Sequence, residues 1–210
     1  MIKKNLKFLT ITSVATLLPI LVGVILWNQL PEQLPIHWNM QGEIDDWCSK
    51  AFAVFAMPLI LLAFHWIAVF ATLSDPKNHT NTNKVLHLIF WLVPILSIML
   101  SAVTYSVAMG GEMRVEAVTP VFLGLTFVII GNYLPKCKQS YTIGIKCPWT
   151  LHSEENWNRT HRLAGWIWVI GGALMMLTGF CNALWISMSI GLIMALIPVI
   201  YSYILHRKGI

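Results

Sequence analysis

Six long apolar runs constrain the fold of this chain more than any other feature of its sequence. Only 11% of the 210 residues are charged, and 57% are hydrophobic. A membrane span needs about 20 mostly apolar residues, and a helix pairs the backbone groups within such a span. The sequence therefore predicts an all-α integral membrane protein of one domain, residues 1–210, with six transmembrane helices at about residues 8–27, 51–73, 85–109, 117–133, 163–180 and 183–205.

The lysine and arginine residues are unevenly distributed between the segments that join these helices. In membrane proteins the cytoplasmic segments hold the excess of Lys and Arg. If the N-terminus is cytoplasmic, only Lys50 and Arg114 of the 14 basic residues fall outside the cell. We therefore predict a multi-pass protein of the plasma membrane with both termini in the cytoplasm. This distribution accounts for the net charge of +5, so we expect no direct contact with nucleic acid.

Two connecting segments are long enough to do more than join helices. They are the 28–50 loop, predicted to lie outside the cell, and the 134–162 loop, predicted to lie in the cytoplasm. In the 28–50 loop, Pro31 and Pro35 are expected to end the first helix, and a turn is expected around Gly42. Trp38 and Trp47 suit either anchoring at the lipid headgroups or contact with a partner. The His and Asp residues of this loop are irregularly spaced, so we predict no metal site.

The 134–162 loop divides into a turn-rich part and a helical part. Pro135 and Gly144 indicate turns in the first part. From Ser153 onwards the pattern is that of a helix, because serine is a favourable N-cap and two glutamates follow it in the first turn. One face of this helix continues into the fifth span, where it either packs against neighbouring helices or offers a docking surface. The residues on this face are Trp157, His161, Ala164 and Trp168.

The chain also shows weak internal similarity between its first half, residues 1–110, and its second half, residues 111–210. "LVGVILWNQLP" at residues 21–31 aligns with "LTFVIIGNYLP" at residues 125–135, with identical Leu, Val, Ile, Asn, Leu and Pro. Three spans in each half would make the halves two inverted three-helix repeats. The 28–50 and 134–162 loops would then occupy equivalent positions, although apolar helices also align by accident.

Two motifs in these loops resemble a known family. "LPIHWNMQGEIDDWCSK" is similar to a domain of unknown function that is found beside SdpI-type sequences, and "GNYLPKCKQSYTIGIKCPWTL" resembles the signature of the SdpI immunity-protein family. Lys146 departs from the second pattern, because arginine is expected there; lysine keeps the charge but loses the bidentate geometry. Ser140 stands where asparagine is common. The residues that carry the two matches are Pro35, His37, Asn39, Gly42 and Lys50, and then Gly131, Asn132, Pro135, Gly144, Ile145, Pro148, Trp149, Thr150, Leu151, Trp157 and Arg162.

The resemblance implies immunity rather than catalysis. Such a protein protects the producing cell from its own secreted, membrane-active peptide toxin, and it reports the toxin by holding a cytoplasmic repressor at the membrane. The expected partners are thus the lipid bilayer, an extracellular peptide toxin and a cytoplasmic repressor protein. The candidate ligand and partner residues are His37, Asn39, Gly42, Asp46 and Lys50 in the 28–50 loop, and Asn132, Lys146, Trp149, Thr150, Trp157 and Arg162 in the second half of the chain.

Two other classes of function are weighed against this reading. A transporter or flippase-like protein for small molecules, peptides or lipids is the alternative, although His65 and His87 have no charged residue beside them within the spans, which argues against proton coupling. An enzyme is not expected, because the sequence contains no catalytic constellation such as H-E-x-x-H. We expect no cofactor and no bound metal.

Overall fold

Long helices make up most of the structure, which is a computed structural model. It describes residues 2–77, 83–181 and 184–210, with side chains for residues 5–77, 84–181 and 184–210. The predicted start of the last span, Ala183, and the side chains of Lys3 and Lys4 lie outside the described residues. The elements are α1 (Ile2–Ile25), β1 (Gln33–Trp38), β2 (Ile44–Ser49), a π-helical turn (Phe52–Ala56), α2 (Met57–Ser74), α3 (Asn83–Ala108), α4 (Val115–Tyr133), a 3-10 turn (Leu134–Lys136), α5 (Pro148–His152), α6 (Glu154–Thr178) and α7 (Leu184–Arg207).

Five helical segments in the described part of the chain are long and apolar enough to cross a membrane. They are Asn5–Ile25, Phe52–Ser74, Lys84–Ala108, Val115–Lys136 and Leu184–Arg207, and each overlaps one predicted span. The predicted fifth span, 163–180, forms the last part of α6 and ends at Thr178. The apolar part of α6, residues 163–178, is shorter than each of these five segments, and α6 is not among them. The chain is a mostly helical, multi-pass membrane protein; six crossings and an inverted repeat stay predictions.

The chain forms two compact units. The first unit contains Met1–Leu73 and His87–Val115, and the second contains Ser74–Leu86 and Glu116–Ile210. The first unit therefore holds α1, α2, the strands and most of α3, whereas the second holds α4 to α7. Among the described residues each unit has three long helices, and each has one of the two loops.

Close packing of α1 characterises the first unit. A side chain on Gly23 would lie 2.7 Å from Val54 Cγ1 and 2.8 Å from the Tyr105 hydroxyl, so only glycine allows this approach. The Tyr105 hydroxyl donates a hydrogen bond to the Pro19 carbonyl at 3.2 Å. Leu30 and Leu34 pack with these residues in one buried cluster. Apolar packing thus joins the end of α1 to the strands that follow it.

Glycines allow α4 and α6 of the second unit to approach closely. A side chain on Gly131 would lie 2.9 Å from Val169 N and 3.0 Å from the Gly165 carbonyl. A side chain on Gly165 would in turn meet Pro135 Cγ at 2.6 Å. Gly124 faces Gly172 in the same way. Small residues at such positions are typical of helix contacts within membranes.

The predicted start of the helix in the 134–162 loop is confirmed. Ser153 is the N-cap of α6, and its hydroxyl accepts a hydrogen bond from Asn156 N at 3.1 Å. Glu154 and Glu155 lie in the first turn, where they face the positive end of the helix dipole. The helix then runs without interruption into the apolar part of α6, as the periodicity predicts. Trp157, His161 and Ala164 on its predicted face are buried.

Candidate functional sites in the two loops

The 28–50 loop contains a β-hairpin that sequence reasoning interpreted only as a loop with a turn. Strands β1 and β2 pair antiparallel, with Gln33 opposite Ser49 and Trp38 opposite Ile44. The predicted turn is present, since Gly42 N donates to the Asn39 carbonyl at 3.0 Å and Gly42 has a φ of 80°. The strands are short and contain Pro35, Asp45 and Asp46, residue types that are depleted in strands, so strand propensity did not indicate them.

Asn39 organises the turn of the hairpin. Its side-chain oxygen accepts hydrogen bonds from Gln41 N and Glu43 N, both at 2.9 Å. Its side-chain amide donates to the Glu43 carboxylate at 3.0 Å. These bonds form the local cap that asparagine typically gives a turn. Asn39 therefore holds the shape of the hairpin tip.

The exposed surface of the hairpin is acidic and aromatic. His37 Nδ1 lies 2.6 Å from Asp45 Oδ1, and both side chains are exposed. Asp46 is exposed and accepts a hydrogen bond from Trp47 N at 2.8 Å, while the Trp47 side chain is 48% exposed. No group of three or more His, Cys, Asp or Glu side chains suited to a metal ion occurs in the described residues. The hairpin thus presents charge and one indole ring to its surroundings.

Lys50 behaves differently from the other candidates of this loop, because its side chain is only 9% exposed. Its ammonium group donates to the Leu30 carbonyl at 3.1 Å and to the Trp27 carbonyl at 3.3 Å, and it lies 2.9 Å from the Glu32 carboxylate. It also lies 4.9 Å from the centre of the Trp27 ring. Lys50 therefore fastens the base of the hairpin to the end of α1.

Asp75 holds the first part of the 134–162 loop. Its Oδ2 accepts hydrogen bonds from the Ser140 hydroxyl at 2.5 Å, from the Thr142 hydroxyl at 2.9 Å, and from Tyr141 N and Thr142 N at 2.8 Å and 3.1 Å. Burial alone would raise the pKa of Asp75, but these hydrogen bonds and one from Lys77 N outweigh burial and hold the pKa below its usual value. Ser140 thus has a clear role where the family pattern favours asparagine.

Sequence reasoning missed Asp75 as a functional residue. It follows α2 directly and is the one acidic residue in a connection that otherwise carries lysines, which is the signal that could have found it. Nothing in the sequence pairs it with Ser140, since the two residues are far apart in the chain. The contact depends on tertiary structure.

Thr150 holds the second turn of the loop. Its hydroxyl accepts a hydrogen bond from Cys147 N at 2.8 Å and lies 3.0 Å from the Ile145 carbonyl. The Gln139 side-chain amide donates to the carbonyls of Thr150 and Leu151 at 2.8 Å and 2.9 Å. Thr150 is fully buried, so its hydroxyl serves the loop itself rather than a ligand.

Trp157 and His161 form the floor of the loop. Their rings stack with centroids 4.0 Å apart, and Trp157 Nε1 donates to the Cys137 carbonyl at 2.9 Å. His161 Nε2 accepts from Ile145 N at 2.9 Å, which leaves Nδ1 to donate to the Trp157 carbonyl at 2.8 Å. Burial lowers the pKa of His161 to about 4, so the ring is neutral. Gly144, with a φ of 102°, lies directly against both rings, where no side chain would fit.

The remaining predicted residues of the second half lie at the surface or against α7. Asn132 and Lys146 are exposed, and Lys146 Nζ donates to the Thr142 carbonyl at 3.3 Å. Asn132 lies in α4, and its side chain makes no hydrogen bond within the described part of the chain. Trp149 stacks on His206 with ring centroids 5.9 Å apart. Arg162 is exposed on α6, on a different face from the buried Trp157.

The six candidates of the second half therefore divide into two groups. Thr150 and Trp157 belong to the buried framework that shapes the loop, together with Asp75, which sequence reasoning missed, and His161, which it placed only on the predicted helix face. Asn132, Lys146 and Arg162 are accessible, and Trp149 is partly so. The structure does not bring the accessible residues together into one cleft.

Comparisons with known proteins find a match for each of these two loops. Residues 14–62 match a domain of unknown function, DUF1648, and residues 136–202 match the SdpI/YfhL protein family. The chain is 27% identical to the immunity protein SdpI of Bacillus subtilis (strain 168), and the similarity covers 98% of this chain and 97% of the relative. No solved structure matches the chain significantly. The resemblance to the SdpI family that the two motifs indicate is thereby confirmed, with residues 136–202 matching the model of that family.

Proposed function

We propose that this membrane protein gives immunity against a secreted, membrane-active peptide toxin. The observation that carries the proposal is the similarity to an immunity protein along nearly the whole of both chains. A similarity of that extent includes both loops and all the long helices. An immunity protein needs no catalytic group, and the proposal assigns none.

The exposed surface of the hairpin is the proposed contact for the toxin. His37, Asp46 and Trp47 are accessible there, and aromatic side chains are enriched at binding surfaces. Asn39 and Gly42 maintain the turn that presents this surface, and Lys50 holds its base. In this proposal the hairpin lies outside the cell, as the distribution of Lys and Arg predicts.

The 134–162 loop is the proposed cytoplasmic surface, and it signals the presence of toxin by binding a repressor. Its buried framework around Asp75 and Thr150 gives the loop a fixed shape, which supports recognition by a protein partner. Lys146 and Trp149 lie at its accessible side. Toxin binding changes repressor binding only if the toxin binds two arrangements of the helices with different affinity.

A transport or flippase activity is the second candidate, and buried polar contacts between the helices of the first unit favour it. His65 Nε2 lies 3.0 Å from the Thr12 hydroxyl, and the Ser97 hydroxyl donates to the Thr16 carbonyl at 2.8 Å. His65 Nδ1 is buried without a hydrogen-bond partner in the structure. Polar groups at such depth are often functional in membrane proteins.

Survival of a toxin-sensitive strain that expresses this chain tests the proposal. Cells with the wild-type chain are expected to survive challenge with a secreted membrane-active peptide toxin of the relative's species, whereas cells with the empty vector die. The His65→Leu variant separates the two candidates, because it removes the buried polar ring but leaves the hairpin intact. Under the immunity proposal His65→Leu still protects when the protein level is matched. Loss of protection in that variant, with lipid or peptide translocation by the wild type in liposomes, would favour transport.

A further inference from the structure

A groove of about 880 Å³ opens on the second unit beside α6 and α7. The Arg159 guanidinium on its wall is paired with the Glu155 carboxylate at 2.5 Å. The Arg162 guanidinium, one turn further along α6, makes no ion pair with any described residue. Asn158 and Tyr201 line the same groove and bring two further polar side chains to it. Glu154 also lines the groove, about two turns before Arg162 on α6, and its carboxylate makes no ion pair with any described residue. The groove therefore offers one unpaired cation with hydrogen-bonding groups beside it, and one carboxylate at its far end.

Arg162 stands at the head of a row of exposed apolar side chains. Trp166, one turn beyond it, is 67% exposed, and Ile170, Leu174 and Leu177 continue the exposed face along α6. Residues three or four apart lie on the same face of a helix, so this row has a charged end and an apolar length of about 17 Å at 1.5 Å per residue. A row of this form matches a lipid molecule, which has a charged headgroup and an apolar chain.

We propose that this groove binds the phosphate of an anionic phospholipid, with the Arg162 guanidinium as its principal contact. Arginine suits phosphate because its planar group donates two parallel hydrogen bonds. The Asn158 amide and the Tyr201 hydroxyl supply two further hydrogen-bond donors to the phosphate, and the acyl chain lies along Trp166 and Ile170. Tryptophan and tyrosine at the level of the headgroups are typical of membrane interfaces.

The charge of the surroundings favours an anionic lipid over a zwitterionic one. The 134–162 loop carries five basic residues and only Glu154 and Glu155 as acids, and Glu155 is already neutralised by Arg159. Basic segments next to a membrane attract anionic headgroups. A zwitterionic lipid carries its own ammonium group, which compensates the charge of its phosphate. Such a lipid therefore gains less binding free energy from Arg162.

Native mass spectrometry of the full chain, purified in detergent, tests this proposal. Phosphatidylglycerol, phosphatidylcholine and diacylglycerol with the same acyl chains are added at equal concentration, and bound lipid is counted. We expect phosphatidylglycerol to be retained most tightly and diacylglycerol least. Arg162→Gln should weaken retention of phosphatidylglycerol about tenfold, which corresponds to one charged hydrogen-bond pair. Lys208→Gln removes the same charge from the exposed end of the chain and should leave retention unchanged.

Three results would overturn the proposal. Retention of diacylglycerol as tight as that of phosphatidylglycerol would mean that the groove binds acyl chains without recognising the phosphate. An equal loss of phosphatidylglycerol retention in Lys208→Gln would mean that binding depends only on the net charge of the protein. Displacement of bound phosphatidylglycerol by a glutamate-rich peptide at the same concentration would make the groove a docking site for an acidic protein segment. Arg162 is exposed, so its variant is expected to fold, and an unchanged melting temperature in lipid-free detergent checks this.

Discussion

Single buried side chains determine the shape of the 134–162 loop. The Asp75 carboxylate accepts hydrogen bonds from the Ser140 hydroxyl and from Tyr141 N of this loop. The Thr150 hydroxyl accepts one from Cys147 N and donates to the Ile145 carbonyl, and His161 Nε2 accepts one more. Buried polar atoms cost little free energy of folding when they are hydrogen-bonded, but they destabilise the protein when they are left without a partner. The loop therefore depends on a few polar atoms rather than on regular secondary structure.

Replacing Asp75 with Asn should destabilise the second unit by about 1–3 kcal/mol, because the Asn amide cannot accept a hydrogen bond on both sides. Thermal unfolding in detergent, followed by limited proteolysis of the 134–162 loop, measures the effect. Asp45→Asn is the matched control, since Asp45 is exposed on the hairpin. Equal melting temperatures for Asp75→Asn and Asp45→Asn would show that the Asp75 carboxylate does not hold the loop.

The neutral His161 ring predicts a dependence of stability on pH. Its pKa is about 4 in the folded protein and about 6.5 when unfolded, so the unfolded state binds more protons between these values. The free energy of unfolding should therefore fall by about 3 kcal/mol as the pH decreases from 6.5 to 4. The lowered pKa of Asp75 gives stability that is lost only below its unfolded pKa of about 3.9, outside this window. Melting curves of the wild type and His161→Gln should differ in slope over the window; identical slopes would contradict the assignment.

At the scale of elements, the sequence predicted some features of the hairpin and of the 134–162 loop and missed others. The Ser153 cap and the buried face of α6 followed from local signals and are confirmed. The turn at Gly42 was also predicted, but its flanking strands were not, because His37, Asp45 and Asp46 interrupt any regular alternation. Asp75 with Ser140, and Trp157 with the Cys137 carbonyl, join positions that are distant in the chain. No local pattern specifies such pairs.

The attachment of the hairpin to α1 gives a prediction at this scale. Lys50→Met should leave the carbonyls of Trp27 and Leu30 without their buried donor and should cost about 1–3 kcal/mol. We expect faster hydrogen exchange at the backbone amides of β1 and β2, because the base of the hairpin opens. Glu32→Gln is the control, since the Glu32 side chain is 88% exposed and surface ion pairs contribute little. Faster exchange in Glu32→Gln but not in Lys50→Met would reverse the assignment.

The orientation of the whole molecule in the membrane remains the prediction on which the two proposed surfaces depend. Reporter fusions after Leu73, Tyr133 and Leu205 should give cytoplasmic signals, and fusions between Glu43 and Asp46 or at Glu112 should give external ones. The physical reason is the excess of Lys and Arg on one side of the predicted spans. A cytoplasmic signal from the hairpin would contradict the assignment of its surface to an external toxin.

A paired scan of both loops tests the immunity proposal most directly, with survival under toxin challenge and transcriptional output scored separately. A polar loop cannot cross about 30 Å of hydrocarbon, so an external peptide contacts the hairpin and not the 134–162 loop. His37→Ala and Asp46→Ala should therefore lose protection and signalling together, whereas Lys146→Ala and Trp149→Ala should keep protection and lose only the signal. Immunoblots of membrane fractions verify equal protein levels. Loss of protection in Lys146→Ala and Trp149→Ala as complete as in the hairpin variants would contradict the receptor account and favour transport.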